Sequence, residues 1–328
     1  MLPRSVLLSL CFAAPFCATP ALADFEQTLS DHILPGYAAF AASTQALAEA
    51  AAKDCKAEGL KPAFNTAYDA WLGVQHLRFG PAEVDGLSVA IAFWPDPKGS
   101  GAKAQRALLL GDPAQLSPEH FPDQSVAARG LTGLERLLYP AEPLPADPCA
   151  LIQATTLDLA RMAKLINDSW INTYAKTVLT AGDLGNTSFQ TRPEVRQTLF
   201  TQVVAALEFD KDQRLGRPLG SFDKPRPERA EALAAGRSQR NILLSLQALR
   251  AMVVTLTPDA PLTLAGFDRA IKLAETLDDP AFAGVATPQG HLKVEILQQA
   301  VSALTDTVVS ELGPELDVGV GFNAADGD

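Results

Sequence analysis

Alanine and leucine recur at steps of three and four residues along most of the chain, whereas alternation of β-branched residues never persists. A half-buried strand needs a two-residue period and an amphipathic helix a period near 3.6, so this pattern predicts an all-α protein. Tyr37, Phe40, Leu47 and Ala51 fall on one helical face after Pro35. Phe64, Tyr68 and Trp71 make a second stripe, with Pro62 expected in the first turn, where its missing N–H costs nothing. Helical spacing returns over residues 126–139, ends at Pro140, and resumes through Leu151, Met162, Ile166 and Trp170. Four later stripes run through Val195, Leu199, Val203 and Leu207, then Leu243 to Val253, then Phe267, Ile271 and Ala274, then Leu297 to Leu312.

The stripes form two groups of four, and the segment between them, residues 181–192, has no apolar period. A chain of roughly 300 residues outgrows one simple helical core. Two helical-bundle domains are therefore expected, at 24–180 and 193–316, with a tail at 317–328. Residues 79–123 are rich in Gly and Pro, and only residues 107–110 hint at a helix. This reads as a long irregular connection inside the first bundle, and such connections often carry function.

The first 23 residues place Arg4 before the apolar run 6–12 and end on Ala21, Leu22 and Ala23. That order predicts a secretory signal cleaved after Ala23, and hence a periplasmic protein. No stretch supplies the eighteen or so apolar residues of a transmembrane helix. Neither Cys11 nor Cys17 has a lipobox residue before it. Loss of the signal leaves Cys55 and Cys149 as an even pair in an oxidising compartment. One disulfide, tying the first helix to the fourth, is the economical reading; two separate buried thiols are the alternative. The net charge of −11, or −12 without Arg4, argues against nucleic acid as a partner.

Polar residues interrupt the stripes at a few places. On the second helix, steps of three and four from Trp71 arrive at Gln75 and Arg78, which continue a buried face or mark where the helix emerges. Gly130 and Gly133 sit inside a good helical pattern, where each costs about 1 kcal/mol relative to alanine unless a close backbone approach compensates. Thr132, Glu135 and Tyr139 share that helix face, and Glu135 has Arg129 and Arg136 nearby as surface partners. Further on, Glu231 leads to Gly236, Arg237 and Ser238, which read either as a site or as a packing notch on a long helix. His32, His76, His120 and His291 form no zinc-protease motif and no close pair in sequence. His291 and Glu295 are expected to be an ordinary surface pair. In the tail, Phe322 suggests docking, and Asp326 and Asp328 offer oxygen donors for a cation or simply a frayed acidic end.

Several of these segments together resemble the imelysin-like proteins, an exported bacterial family also grouped as peptidase M75 and related to components of periplasmic iron uptake. The pieces are Trp71 to Gln75, Arg78 to Pro81, Trp94-Pro95-Asp96, residues 130–138, Glu231 to Ser238, and the closing GFNAADGD. The resemblance implies two facing helical bundles with a site at their interface around a G-x-H-x-x-E motif. Gly130 and Glu135 match that motif, whereas Thr132 stands where it has histidine. The substitution removes an imidazole ligand, which leaves Glu135 as the best metal candidate and no catalytic residue assigned. The implied function is a non-enzymatic periplasmic binding protein associated with iron uptake. Gln75, Arg78, Thr132 and Glu135 from one bundle would face Arg237 and Ser238 from the other. Arginines there favour a small anionic or metal-chelate ligand, with iron or another metal open as cofactor. An M75-type metallopeptidase is the alternative, and docking of an envelope protein on residues 79–123 is a third reading.

Overall fold

The structure, a computed structural model, describes residues 25–257 and 259–319. The signal segment 1–23 and the tail residues Phe322, Asp326 and Asp328 lie outside the described residues. In the first half, the longer helices are α1 Leu34–Lys53, α2 Ala57–Leu72, α3 Ser100–Leu110, α4 Gly130–Leu138 and α5 Cys149–Ser169. In the second they are α6 Arg192–Phe209, α7 Ser238–Leu256, α8 Pro261–Glu275 and α9 Pro288–Thr307. The described residues form no β-strand, and the all-α expectation holds.

The apolar stripes face inward as their periodicity requires. Tyr37, Phe40, Leu47, Phe64, Tyr68, Trp71, Met162 and Trp170 are buried in the first bundle, as are Leu199, Leu207, Leu246, Phe267, Leu297 and Leu304 in the second. Each such side chain contributes about 1.5–3 kcal/mol through burial. Helix α1 packs on α2 and α5, with α4 against α2 and α5; α7 packs on α8, and α8 and α6 pack on α9. The bundles meet mainly where α2 lies against α7 and where Phe25–Thr28 touches α7. Their buried apolar residues form one contiguous cluster.

Cys55 and Cys149 are disulfide-bonded, with Cα atoms 5.3 Å apart, so the α1–α2 turn is tied to the first residue of α5. Pro62 differs from expectation: α2 begins at Ala57, a turn earlier, and Pro62 sits inside it. Residues 181–192 fold back on the first bundle. Asn186 Oδ1 accepts from the N–H groups of Ser188 and Phe189, and buried Phe189 meets Tyr174 at 6.3 Å between ring centres. The long connection holds α3 and the short helix Leu87–Ile91. Asp96 caps α3 by accepting from Ser100 N at 2.9 Å and Gly101 N at 2.7 Å, which gives the Trp94-Pro95-Asp96 segment a structural role.

The glycines of α4 explain its approach to the connection. A Cβ on Gly130 would lie 2.2 Å from the Ala90 carbonyl oxygen and 2.3 Å from that of Ile91, and its φ is +64°. Only glycine fits that backbone-to-backbone contact.

Candidate functional site

Burying polar groups between two bundles demands partners, and the seam supplies many of them from within the protein, while Tyr68 Oη, Thr132 Oγ1 and Arg237 Nε have none. Glu135, on α4, accepts a hydrogen bond from the Ala235 N–H at 3.1 Å, which brings the α4 motif against the second bundle. Burial pushes its carboxyl above the ordinary range; the Ala235 hydrogen bond opposes this and nearby Glu231 adds to it. Neither expected arginine pairs with Glu135. Arg129 is bonded to Asp158 at 2.8 Å, and Arg136 to Gln105 and the Ala127 carbonyl. Tyr139 takes a hydrogen bond from Asn65 at 3.2 Å, and Thr132 Oγ1 is buried with no protein partner.

The Arg237 segment is not part of a long helix. Ala232 and Gly236 have φ of +49° and +64°, α7 begins at Ser238, and nothing lies within 4 Å of a Cβ placed on Gly236, so it is no packing notch. This turn sends Arg237 back into the seam, where it donates to Asn65 Oδ1 at 2.6 Å and Asp69 Oδ1 at 2.5 Å above the Tyr68 ring. Burial alone would raise the Asp69 carboxyl, but hydrogen bonds from Arg240 and Arg237 outweigh it and hold it low. Ser238 Oγ donates to the Glu231 carbonyl at 2.6 Å, locking the turn.

Behind this turn lies a buried ionic network that periodicity did not suggest. After α6 the backbone widens into a π-turn, Asp210–Leu215, that points Asp210 and Arg214 inward. Arg214 donates to Asp210 and, at 2.7 Å, to Glu231; Asn241 donates to Glu231 at 2.9 Å and Ser245 to Asp210 at 2.8 Å. One guanidinium thus serves two carboxylates. Burial pushes Asp210 up to about 6, against the pull of Arg214 and Ser245.

Glu231 and Arg214 also line a cavity of about 420 Å³ between the bundles. Its walls include Trp71, Gln75, His76 and Arg78 from the first bundle, Phe93, Trp94 and Pro95 from the connection, and Gln202 and Phe209 from α6. Of the six expected residues, Gln75 and Arg78 line this cavity. Glu135, Arg237 and Ser238 sit in the seam, where Ser238 donates to the carbonyl of the cavity-lining Glu231; Thr132 is buried on α4 and does not line the cavity. Arg78 pairs with Glu83 at 3.0 Å, and its backbone N–H donates to Gln202 at 2.9 Å.

The histidines also differ from the sequence reading. His32 and His76, 44 residues apart, meet with Nε2 atoms 3.0 Å apart. His291 is buried rather than a surface group, with Nδ1 3.9 Å from Glu295 and its ring 5.5 Å from Phe222. Among the described residues no three His, Cys, Asp or Glu side chains are grouped to hold a metal. The motif position offers one carboxylate, already bonded to a backbone N–H, and a threonine hydroxyl. That donor set does not fit a catalytic zinc, which requires three protein ligands.

The imelysin model (Peptidase M75) matches residues 33–308. The chain is 22% identical to iron-regulated protein A of Synechococcus elongatus over 316 residues, covering 86% of this chain and 83% of that protein. An imelysin-like protein of Psychrobacter arcticum superposes with a TM-score of 0.73 at 21% identity, over 92% of this chain and all of the other. A protein of Parabacteroides distasonis described as an iron-regulated protein A precursor gives 0.71 at 12% identity, over 90% and 97%. With two facing bundles, the α4 motif at their seam and a family match across most of its length, the chain belongs to the imelysin family.

Proposed function

We propose that the chain is an exported, non-enzymatic binding protein connected with iron acquisition, and that its ligand occupies the cavity between the bundles. The observation carrying this reading is the state of the α4 motif. Glu135 is spent on the Ala235 N–H, while a partly open, aromatic-walled cavity lies between the bundles. Such concave sites with a few polar groups are the usual form of small-molecule sites. The names of the Synechococcus and Parabacteroides relatives support the iron connection, and the Parabacteroides precursor and the signal-like segment 1–23 support export to the periplasm. Among the described residues no helix is long and apolar enough to cross a membrane.

Within this reading a metal chelate suits the cavity better than a bare anion. Arg237 is matched by Asp69, Arg214 by two carboxylates, and Arg78 by Glu83. Calorimetric titration of the purified protein with ferric citrate, and with free ferrous and ferric ions, tests the iron connection. Heat is expected with the chelate; silence with all three removes iron from the function.

Metallopeptidase chemistry is the second reading, favoured by the raised proton affinity of buried Glu135, which suits a general base. Casein turnover with added zinc that vanishes in Glu135→Gln would replace the binding reading with this one.

A further inference from the structure

Part of the cavity wall carries hydrogen-bond donors that the protein does not use. Gln202, on α6, lines the cavity and accepts the Arg78 N–H through Oε1 at 2.9 Å. That bond fixes which end of the amide is which, so Nε2 is a donor, and it has no acceptor among the described residues. Arg78 meets Glu83 through Nε in a pair whose side chains are both nearly half exposed, and neither of its Nη nitrogens is hydrogen-bonded. Charge is matched there, yet donors remain. The Gln75 amide, on the same wall, also has no partner. Tyr68 Oη and Arg237 Nε are fully covered, whereas the free groups of Gln202, Arg78 and Gln75 are not and belong to the cavity lining.

Aromatic rings make up much of the remaining wall. Trp94 and Phe209 meet edge to face at 6.0 Å, and both are partly exposed, as is Phe93. The Arg214 guanidinium lies 5.0 Å from the centre of the Phe209 ring and that of Arg217 5.8 Å from Trp94, so positive charge stands against both rings. An aliphatic chelator rich in carboxylates and hydroxyls would lay polar groups on these rings and leave them without partners. A flat ring bearing phenolate oxygens covers them, and its electron-rich face suits rings that carry a cation. The cavity volume, about 420 Å³, is in the usual range for a small ligand.

We propose that the metal chelate taken by this cavity is an aryl one of catecholate type, with its ring against Trp94 and Phe209 and its metal-binding oxygens accepting from Gln202 Nε2 and the Arg78 Nη nitrogens. This rests on the chelate-binding reading above and adds the chemical class of the chelator, together with Gln202 as a binding residue.

The test is calorimetric titration of the purified protein with ferric 2,3-dihydroxybenzoate, ferric citrate and metal-free 2,3-dihydroxybenzoate. The ferric aryl complex is expected to bind at least tenfold more tightly than either other probe. Gln202→Glu keeps an oxygen for the Arg78 N–H and turns the free donor into an acceptor, so it should weaken the aryl complex about tenfold, the worth of one hydrogen bond. Trp94→Leu keeps the wall apolar without its ring and should weaken the aryl complex about tenfold but ferric citrate much less. Equal affinity for the two ferric complexes, equal affinity for the metal-free acid, aryl affinity unchanged in Gln202→Glu, or equal losses for both complexes in Trp94→Leu overturns the proposal. The wild-type comparison decides even where a variant fails to fold. Ferric citrate heat with no preference for the aryl complex removes this proposal alone, whereas silence with both complexes removes the chelate reading beneath it.

Discussion

Glu135 and Asp210 are both buried carboxyls with raised proton affinity, yet their partners give them different roles. Glu135 accepts from a backbone N–H, a bond that an amide oxygen can also accept. Glu135→Gln is therefore expected to leave stability within about 1 kcal/mol, since it also removes repulsion from Glu231. Glu135→Ala strands the Ala235 N–H in the seam and should cost about 1–3 kcal/mol in urea unfolding. Equal losses in the two variants would mean that the carboxylate charge itself holds the seam. Asp210 shares Arg214 with Glu231, so its ionised form is the less comfortable one in the folded state. Its folded value near 6 exceeds the ordinary carboxyl value, so the folded protein binds the extra proton between about pH 4 and 6. The stability this group contributes is present below that window and falls as pH rises through it. Asp210→Asn cannot titrate. The stability difference, wild type minus variant, should accordingly shrink between pH 4 and 6 and stay level above 7, as read from denaturant midpoints at each pH.

Helices carry their periodicity locally, and for that reason the bundles could be read from the residues, as could the need for a close approach at Gly130. Gly130→Ala places a Cβ against two carbonyl oxygens and adds left-handed strain, whereas Gly236 has the same sign of φ and open space. Alanine at Gly236 is expected to cost about 1–2 kcal/mol, the conformational penalty alone. Alanine at Gly130 should cost clearly more, by thermal unfolding, because α4 must move off the Leu87–Ile91 helix. Matching losses would show that the contact yields easily. The seam was much harder to read. Arg237 and Asp69 are 168 residues apart and the two histidines 44, and no local pattern joins them. Asp210 and Arg214 lie in a run of charges that resembles a solvated helix face, and only the π-turn, which side-chain spacing does not encode, rotates them inward. Glu231 stood within a recognisable family segment, but its pairing with Arg214 depends on the Ala232–Gly236 turn. The residues that bridge elements were thus visible as types and invisible as partners.

Two bundles could behave as separate domains divided near residues 181–192, or as one cooperative body. The packing favours the second outcome. The buried apolar residues of both bundles form a single cluster, the intervening segment is packed on the first bundle, and Arg237 is a buried cation whose main acidic partner lies in the other bundle. Separating the bundles would expose that apolar cluster to water and break the Arg237–Asp69 pair. The disulfide offers a way to perturb one bundle only, since Cys55 and Cys149 are both in the first half and close a span of 94 residues. Reducing it should destabilise that half by about 2–4 kcal/mol, chiefly by enlarging the unfolded ensemble. Trp71, Trp94 and Trp170 all precede the intervening segment, so tryptophan fluorescence reports on the first half, whereas far-ultraviolet circular dichroism sees the helices of both. One cooperative body requires the two signals to melt together before and after reduction, with the common midpoint falling by several degrees. If reduction moves the fluorescence midpoint alone and leaves a later dichroism step in place, the second bundle stands without the first, and the seam is a docking contact between independent domains.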